Sequence, residues 1–217
     1  MICIFAKPPV PGRVKTRLAP VVGLEGAATL AAAFLDDTLA SALAVHSRVA
    51  IATVGPAADL GVDATGLAGI WDQGGGDLGA RIERILRRAL SVAPWALALG
   101  ADSPDLPRSY LAEACRALDD GQEAVIGPTE DGGYYLIGLR RCPVGLLADL
   151  PWSRHDTCAA TVARLGEKGL SVFTAPPFVD VDEPPDLQRL AHRLTEGTHR
   201  APATVAALRT IRYAPVR

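Results

Sequence analysis

The sequence predicts an α/β fold, a three-layer αβα sandwich around a mixed sheet whose strands run mostly parallel. Short apolar runs of about five residues recur along the chain and read as strands buried on both faces. Longer segments with helical apolar spacing separate these runs, and strands that alternate with helices pair in parallel and are covered on both sides. A third observation adds antiparallel character: Asp131-Gly132-Gly133 joins two strand-like runs as a tight turn.

The elements follow in chain order. Ile2 to Ala6 is a buried strand, and the next twelve residues contain Pro8, Pro9, Pro11 and Gly12, which keep them out of helix and sheet. Leu24 to about Val45 is rich in Ala and Leu and reads as a helix. Arg48 to Thr53 is a strand with β-branched residues, and Gly55 to Gly69 a loop leading to Ile70-Trp71-Asp72. After Gln73-Gly74-Gly75-Gly76, Asp77 caps a helix whose apolar face is Leu78, Ile82, Ile85, Leu86 and Ala89. Trp95 to Gly100 is the central strand, followed by a helix from about Pro107 to Asp119. Glu123 to Pro128 and Tyr134 to Leu139 are strands on either side of the Asp-Gly turn. Asp156 to about Lys168 is a helix that Ser153 could cap. Leu170 to Thr174 is a strand that Phe178 to Asp182 either extends or follows as a new one. Pro184-Pro185 opens a helix to about Leu194, and a last helix, about Ala203 to Leu208, precedes a frayed tail.

The 217 residues carry no repeat or linker, so one domain, 1–217, is expected, with length enough to bury a full core. Hydrophobic residues make up 49% and charged ones 21%, an ordinary globular balance. A net charge of -2 gives no electrostatic case for a nucleic-acid or membrane partner. Cys3, Cys115, Cys142 and Cys158 are scattered, which favours reduced thiols over zinc or disulfides. Met1 to Ala6 is too short for a signal peptide, and no apolar run approaches the ~20 residues of a membrane span, so a cytoplasmic protein is expected.

Candidate chemistry gathers after the strands. Asp102 lies just past the central strand, where open α/β sheets bind ligands, and offers a hard oxygen to a divalent cation. The plainer possibility there is a helix cap at Ser103 or Asp105, which would leave Asp102 free. Arg13, Lys15 and Arg17 alternate on the proline-stiffened loop, with Lys7 as a fourth cation. Converging cations and approachable backbone N–H groups suit phosphate, though a solvated basic loop has the same composition. On this loop neither the P-loop nor the dinucleotide glycine spacing is present. Asp180 and Asp182 share a face if their segment is extended, while Asp182 also suits a helix N-cap. Asp131 is a hairpin residue or a polar contact and base near a ligand. Gln73 to Asp77 reads as a loop and cap whose helix would bring Arg81 to an anion if its N-terminus faces the site. Among the four histidines, only His155 stands in a stretch suited to catalysis, and the plainer reading there is an exposed histidine beside a helix cap.

Six blocks occur in order: FAKPPVPGRVKTRL, QGGGDLGARI, LGADSPDLP, GPTEDGGYYLIGL, PWSRHDT and DVDEPPDL. Over about residues 1 to 190 they resemble the bacterial radical-SAM/selenodomain-associated transferase family, some of whose members are called arsenosugar-biosynthesis glycosyltransferases. That family is similar to the nucleotide-diphospho-sugar transferase superfamily, so the resemblance implies a Rossmann-like, glycosyltransferase-A-type fold. It implies Arg13, Lys15 and Arg17 on the nucleotide phosphates, and Mg²⁺ or Mn²⁺ on Asp102 and on Asp180 or, preferably, Asp182. Lys7, Gly12, Gln73, Asp77, Arg81 and Asp102 complete the nucleotide-binding candidates. Lys15 and Asp131 are the catalytic candidates, with Asp131 nearer the sugar or acceptor. This chain has Asp-Ser-Pro where many glycosyltransferases carry Asp-x-Asp. The expected function is metal-dependent glycosyl transfer from a nucleotide-diphospho-sugar to a small acceptor. The alternative is a nucleotidyltransferase that moves NMP from an NTP to a phosphorylated acceptor and releases pyrophosphate. A non-catalytic nucleotide-binding domain is the third reading.

Overall fold

The apolar run that opens the chain becomes a central strand. In the computed structural model, which describes residues 1–213, β1 (Ile2–Ala6) pairs in parallel with β2 (Val49–Thr53) on one side and β4 (Ala96–Gly100) on the other. β3 (Gly69–Asp72) extends the sheet beyond β2, also in parallel. β6 (Tyr134–Leu139) pairs antiparallel with both β4 and β5 (Ala124–Pro128), and β7 (Val172–Thr174) runs parallel to β5. The order β3-β2-β1-β4-β6-β5-β7 is a mixed seven-stranded sheet in which β6 alone is reversed. The Asp-Gly turn supplies that reversal, as its sequence implies.

Strand alternation sorts side chains by size. Ile2, Ile4, Val49, Ile51, Leu97 and Leu99 point to one face and pack with Leu35, Leu111 and Leu118 of α1 (Ala19–Val45) and α3 (Arg108–Asp119). Cys3, Ala50, Ala52, Ala96 and Ala98 point to the other. There the larger Ile82, Ile85 and Leu86 of α2 (Leu78–Leu90) and Leu165 of α4 (Thr157–Glu167) fill the space. α5 (Pro184–Thr195) and α6 (Pro202–Thr210) pack on the outer side of α1, where Leu30 and Phe34 meet Leu187, Leu190 and Ala207.

Several local expectations hold: Asp77 caps α2, its Oδ1 accepting the Ala80 N–H at 2.8 Å. Gly23 adopts φ 75°, ψ 169°, which separates a first turn at Pro20 from the main run of α1 beginning at Leu24. α1 also corrects one expectation, because by length and mean hydropathy (27 residues, 1.4) it could cross a membrane. Here its Phe34, Leu35 and Ala42 lie in the core. Its buried Asp37 accepts the Ala203 and Thr204 N–H groups at 3.0 and 2.8 Å, capping α6 from another helix.

Other expectations are corrected. Ser103 and Asp105 do not cap α3, whose N-cap is Pro107, because both side chains turn inward to long-range partners described below. Ser153 does not cap α4; Asp156 stands at that position without a side-chain bond. Glu183 rather than Asp182 caps α5, in a reciprocal box with Asp186. Phe178 to Asp182 forms no strand beyond a single bridge from Phe178 to Thr129. The tail expected after α6 lies partly in 214–217, outside the described residues.

Candidate functional site

The chain leaves β1 towards β2 on one side, while β4 lies on the other. The strand order therefore diverges between β1 and β4, and the carboxyl ends of this pair frame a crevice. Three segments meet there: the loop 7–18 after β1, the turn 101–107 after β4, and 178–183 before α5. The Val181 N–H donates to the Asp102 carbonyl at 2.9 Å and fixes the third segment against the second.

Lys15 is the hub. Its backbone is left-handed at φ 46°, an uncommon state for a non-glycine residue, and sends the side chain inward until it is 7% exposed. The ammonium contacts the Asp102 carboxylate, the Asp182 Oδ1 at 2.8 Å and the Val181 carbonyl at 2.8 Å. It also lies 5.7 Å from the centroid of the Phe34 ring. Burial alone would lower the lysine pKa, but Asp102 and then Asp182 outweigh it, and the net direction is up. Lys15 is charged at neutral pH.

Asp180 stands behind this pair. Its Oδ1 lies 2.7 Å from the Ser103 hydroxyl, which is also 3.0 Å from the Val179 carbonyl. Burial pushes its carboxyl up to about 7; Asp102 and Asp182 push the same way, while Ser103 and Lys15 pull down. The same-face reading of Asp180 and Asp182 fails because the segment is not a strand. Asp180 turns inward, and Asp182 stays half exposed beside Lys15.

Asp102 and Asp182 thus present hard carboxylate oxygens that converge on one cationic atom. That set fits Mg²⁺ or Mn²⁺, which take one or two carboxylates with phosphate and water rather than an all-protein cage. Among the described residues no cluster of three or more His, Cys, Asp or Glu side chains forms such a cage. Asp105 is not a ligand candidate here. It is buried and bidentate with Arg193, Nε to Oδ2 at 2.7 Å and Nη2 to Oδ1 at 3.1 Å, while the His199 Nδ1 lies 3.0 Å from its carbonyl.

The other expected residues sit along the same sheet edge at different distances. Lys7 and Arg13 are exposed on the β1 loop with Gly12 at φ 76°, and Arg17 reaches Glu183 at 3.8 Å. Gln73, Asp77 and Arg81 follow β3, two strands away from β1. The buried Gln73 gives one of its two amide N–H groups to the Ala52 carbonyl (2.9 Å), which turns the side chain towards the β2–β3 end of the sheet. Arg81 Nε donates to the Asp77 carbonyl at 3.2 Å. Asp131 lies at the β5–β6 turn, with Oδ1 accepting from the Thr129 hydroxyl (2.5 Å) and the Gly133 N–H (3.0 Å). His155 is exposed, and its carbonyl presses on Gly132.

That contact makes Gly132 obligatory. Its φ is 89°, and a Cβ would overlap the His155 carbonyl, while the Gly132 carbonyl accepts the Cys158 N–H at 2.8 Å. Gly132→Ala is expected to cost about 2–4 kcal/mol from positive-φ strain and overpacking together. Thermal melting checks this; an unchanged midpoint would mean the 151–156 loop yields freely.

Sequence reasoning missed the Lys15 bridge, the Ser103–Asp180 pair and the Asp105–Arg193–His199 cluster. Each joins residues at least 76 positions apart. The only available signal was the clustering of carboxylates in the third and sixth blocks.

Comparison with known proteins gives the following. Residues 31–154 match the family described as "Uncharacterized protein conserved in bacteria (DUF2064)". A crystal structure from Desulfovibrio desulfuricans G20, provisionally described as a nucleotide-diphospho-sugar transferase, is 33% identical over 97% of this chain and 96% of that one, with a TM-score of 0.84. CMP:2-keto-3-deoxy-manno-octonic acid synthetase complexed with CTP is 16% identical over 91% and 98%, TM-score 0.58. Rv0371c from Mycobacterium tuberculosis H37Rv, in complex with manganese, is 18% identical over 88% and 97%, TM-score 0.53. The last two share the fold. No curated protein sequence is similar to this chain at a significant level.

Proposed function

The chain belongs to the DUF2064 family and to the nucleotide-diphospho-sugar transferase superfamily, and from that premise we propose that it is a metal-dependent transferase. Its donor would be a nucleotide-diphospho-sugar, and the sugar would pass to a small acceptor. One observation carries the reading: Asp102, Asp182 and the buried Lys15 converge at the mouth between β1 and β4. The relative from Desulfovibrio desulfuricans supports the donor class by its description. The manganese complex of Rv0371c is in keeping with a divalent ion in this fold.

In this mechanism Asp102 and Asp182 would hold Mg²⁺ or Mn²⁺, which when bound neutralises charge on the leaving diphosphate. Lys7, Arg13 and Arg17 project from the adjoining loop and would bind the same phosphates as solvent-facing cations. Gly12 lets that backbone come close to the phosphates, and the Asp77-capped end of α2, with Arg81, flanks the base or ribose side. Asp131, across β6 from Asp102, would orient the acceptor hydroxyl or take its proton through the free Oδ2. The four cysteines are free thiols, which accords with a cytoplasmic place where nucleotide donors are made.

A second reading has support of its own. Four cations on one short loop, Lys7, Arg13, Lys15 and Arg17, suit a triphosphate, as nucleotidyl transfer would require. The two are separated by thermal shift with nucleotide-sugars and NTPs, each with and without Mg²⁺ or Mn²⁺, followed by by-product analysis. A ligand that binds only the native state raises the melting temperature. Metal-dependent stabilisation by a nucleotide-sugar with NDP released establishes glycosyl transfer. Stabilisation by an NTP with pyrophosphate released establishes nucleotidyl transfer. No shift with any of them overturns both.

A further inference from the structure

The position between Asp102 and Asp182 that the proposed function gives to a metal is filled by the protein's own ammonium. We propose that Lys15 and a divalent cation occupy this bracket in alternation. The lysine holds the two carboxylates together when no nucleotide is bound and surrenders them when metal and nucleotide arrive. This inference rests on the metal reading above and concerns what Lys15 does before the substrate enters.

Three observations support the exchange. The first is charge. Asp102 and Asp182 both contact the one Lys15 nitrogen, and each side chain remains about half exposed, at 50% and 51%. Without a cation between them the carboxylates repel. With Lys15 and a dication both in place, the two cations repel instead, in a site shielded from solvent on the lysine side. Before a nucleotide adds its own negative charge, the two carboxylates balance one of these cations and not both.

The second is the way Lys15 is held. Its backbone sits at φ 46°, where L residues are strained, so leaving the bracket lets the residue relax. The third is the loop. Its backbone hydrogen bonds are short-range: Val10 to Pro8, Arg13 to Val10, Leu18 to Lys15. Lys15 is tied across the crevice through the Val181 carbonyl and Asp182. Val14 and Leu18 on either side are buried and stay anchored, so the exchange needs only Lys15 to change its backbone angle and swing its side chain, without unpairing the sheet. An ammonium released this way lies beside the exposed Arg13 and Arg17, on the path of an incoming phosphate.

The test is Mn²⁺ binding to the apo protein, by electron paramagnetic resonance or calorimetry, in wild type, Lys15→Met and Lys15→Arg. Lys15→Met is expected to bind Mn²⁺ more tightly than wild type, by about 5–150-fold, the usual size of a coupling free energy between two binding events in one protein. Lys15→Arg keeps the charge and is expected to stay near wild type. In the presence of a nucleotide donor and Mn²⁺, Lys15→Met should bind the nucleotide more weakly, so the two affinities move in opposite directions. If Lys15→Met fails to fold, wild-type hydrogen exchange decides: Mn²⁺ should increase deuterium uptake over residues 12–18. Equal Mn²⁺ affinity in wild type and Lys15→Met, or unchanged uptake despite measured Mn²⁺ binding, overturns the alternation and leaves the metal site standing. Absence of Mn²⁺ binding in every protein overturns the metal reading and the alternation with it.

Discussion

Asp102→Asn is expected to abolish metal-supported nucleotide binding and to lower turnover by about 10²–10³, the usual loss when one preorganised electrostatic group is removed. The fold should survive. Asp102 lies on a turn beyond β4, its side chain is half exposed, and Lys15 keeps Asp182 and the Val181 carbonyl as partners. Because Asp182 remains beside Lys15, no buried charge is left without a counterion. The melting temperature of the variant should therefore stay within a few degrees of wild type. Turnover and melting measured on the same preparation check this. If both fall together, Asp102 is a structural anchor for Lys15 and the metal assignment is wrong.

Asp105→Ala, only three residues on, is expected to behave in the opposite way. Its carboxylate is fully buried and holds Arg193 of α5 through two hydrogen bonds. The His199 ring stacks on Phe178, 5.7 Å away, and the Arg193 guanidinium lies 5.7 Å from the same ring. Truncating Asp105 leaves Arg193 four-fifths buried without its counterion, a change that costs about 3–5 kcal/mol. For a chain of this size that corresponds to a fall of about 6–20 °C in melting temperature. Urea and thermal unfolding measure it. Asp105→Asn keeps the shape and should lose less. A variant as stable as wild type would show that α5 is held by its apolar face alone.

The contrast between these two aspartates shows how far the sequence could be read. Both stand in one short polar stretch after an apolar run, and nothing in their local spacing distinguishes them. What separates them is Arg193, 88 positions downstream. The alternation of apolar runs and helical segments was legible because it depends on local periodicity, and Asp77 as a cap because its partner is three residues away. The Asp-Gly turn was legible for the same reason, and with it the reversed strand β6. The caps offered as alternatives at Ser103, Asp105, Ser153 and Asp182 do not form, because a tertiary partner or a neighbouring residue takes the role. Gln73 was read as part of a loop before a helix cap, and its local sequence does not reveal that its amide bonds the Ala52 carbonyl of β2. Lys15 was legible as a cation among cations. Its distinction from Arg13 and Arg17 lies in a backbone angle and in carboxylates from two distant segments, neither of which leaves a mark nearby.

The long reach of the Lys15 contacts has a consequence for how the protein comes into being. Lys15 and Asp182 are 167 positions apart, and Asp102 lies between them in the chain. The crevice can close only after more than four-fifths of the polypeptide has emerged, and after β4 has found β1 across a long intervening segment. Such distant pairing slows folding, because loop closure must come before the contacts that reward it. A nascent chain stalled before residue 178 would carry the basic loop and Asp102 without the segment that completes the bracket. Competence to engage a nucleotide is thus postponed to the last stage of synthesis.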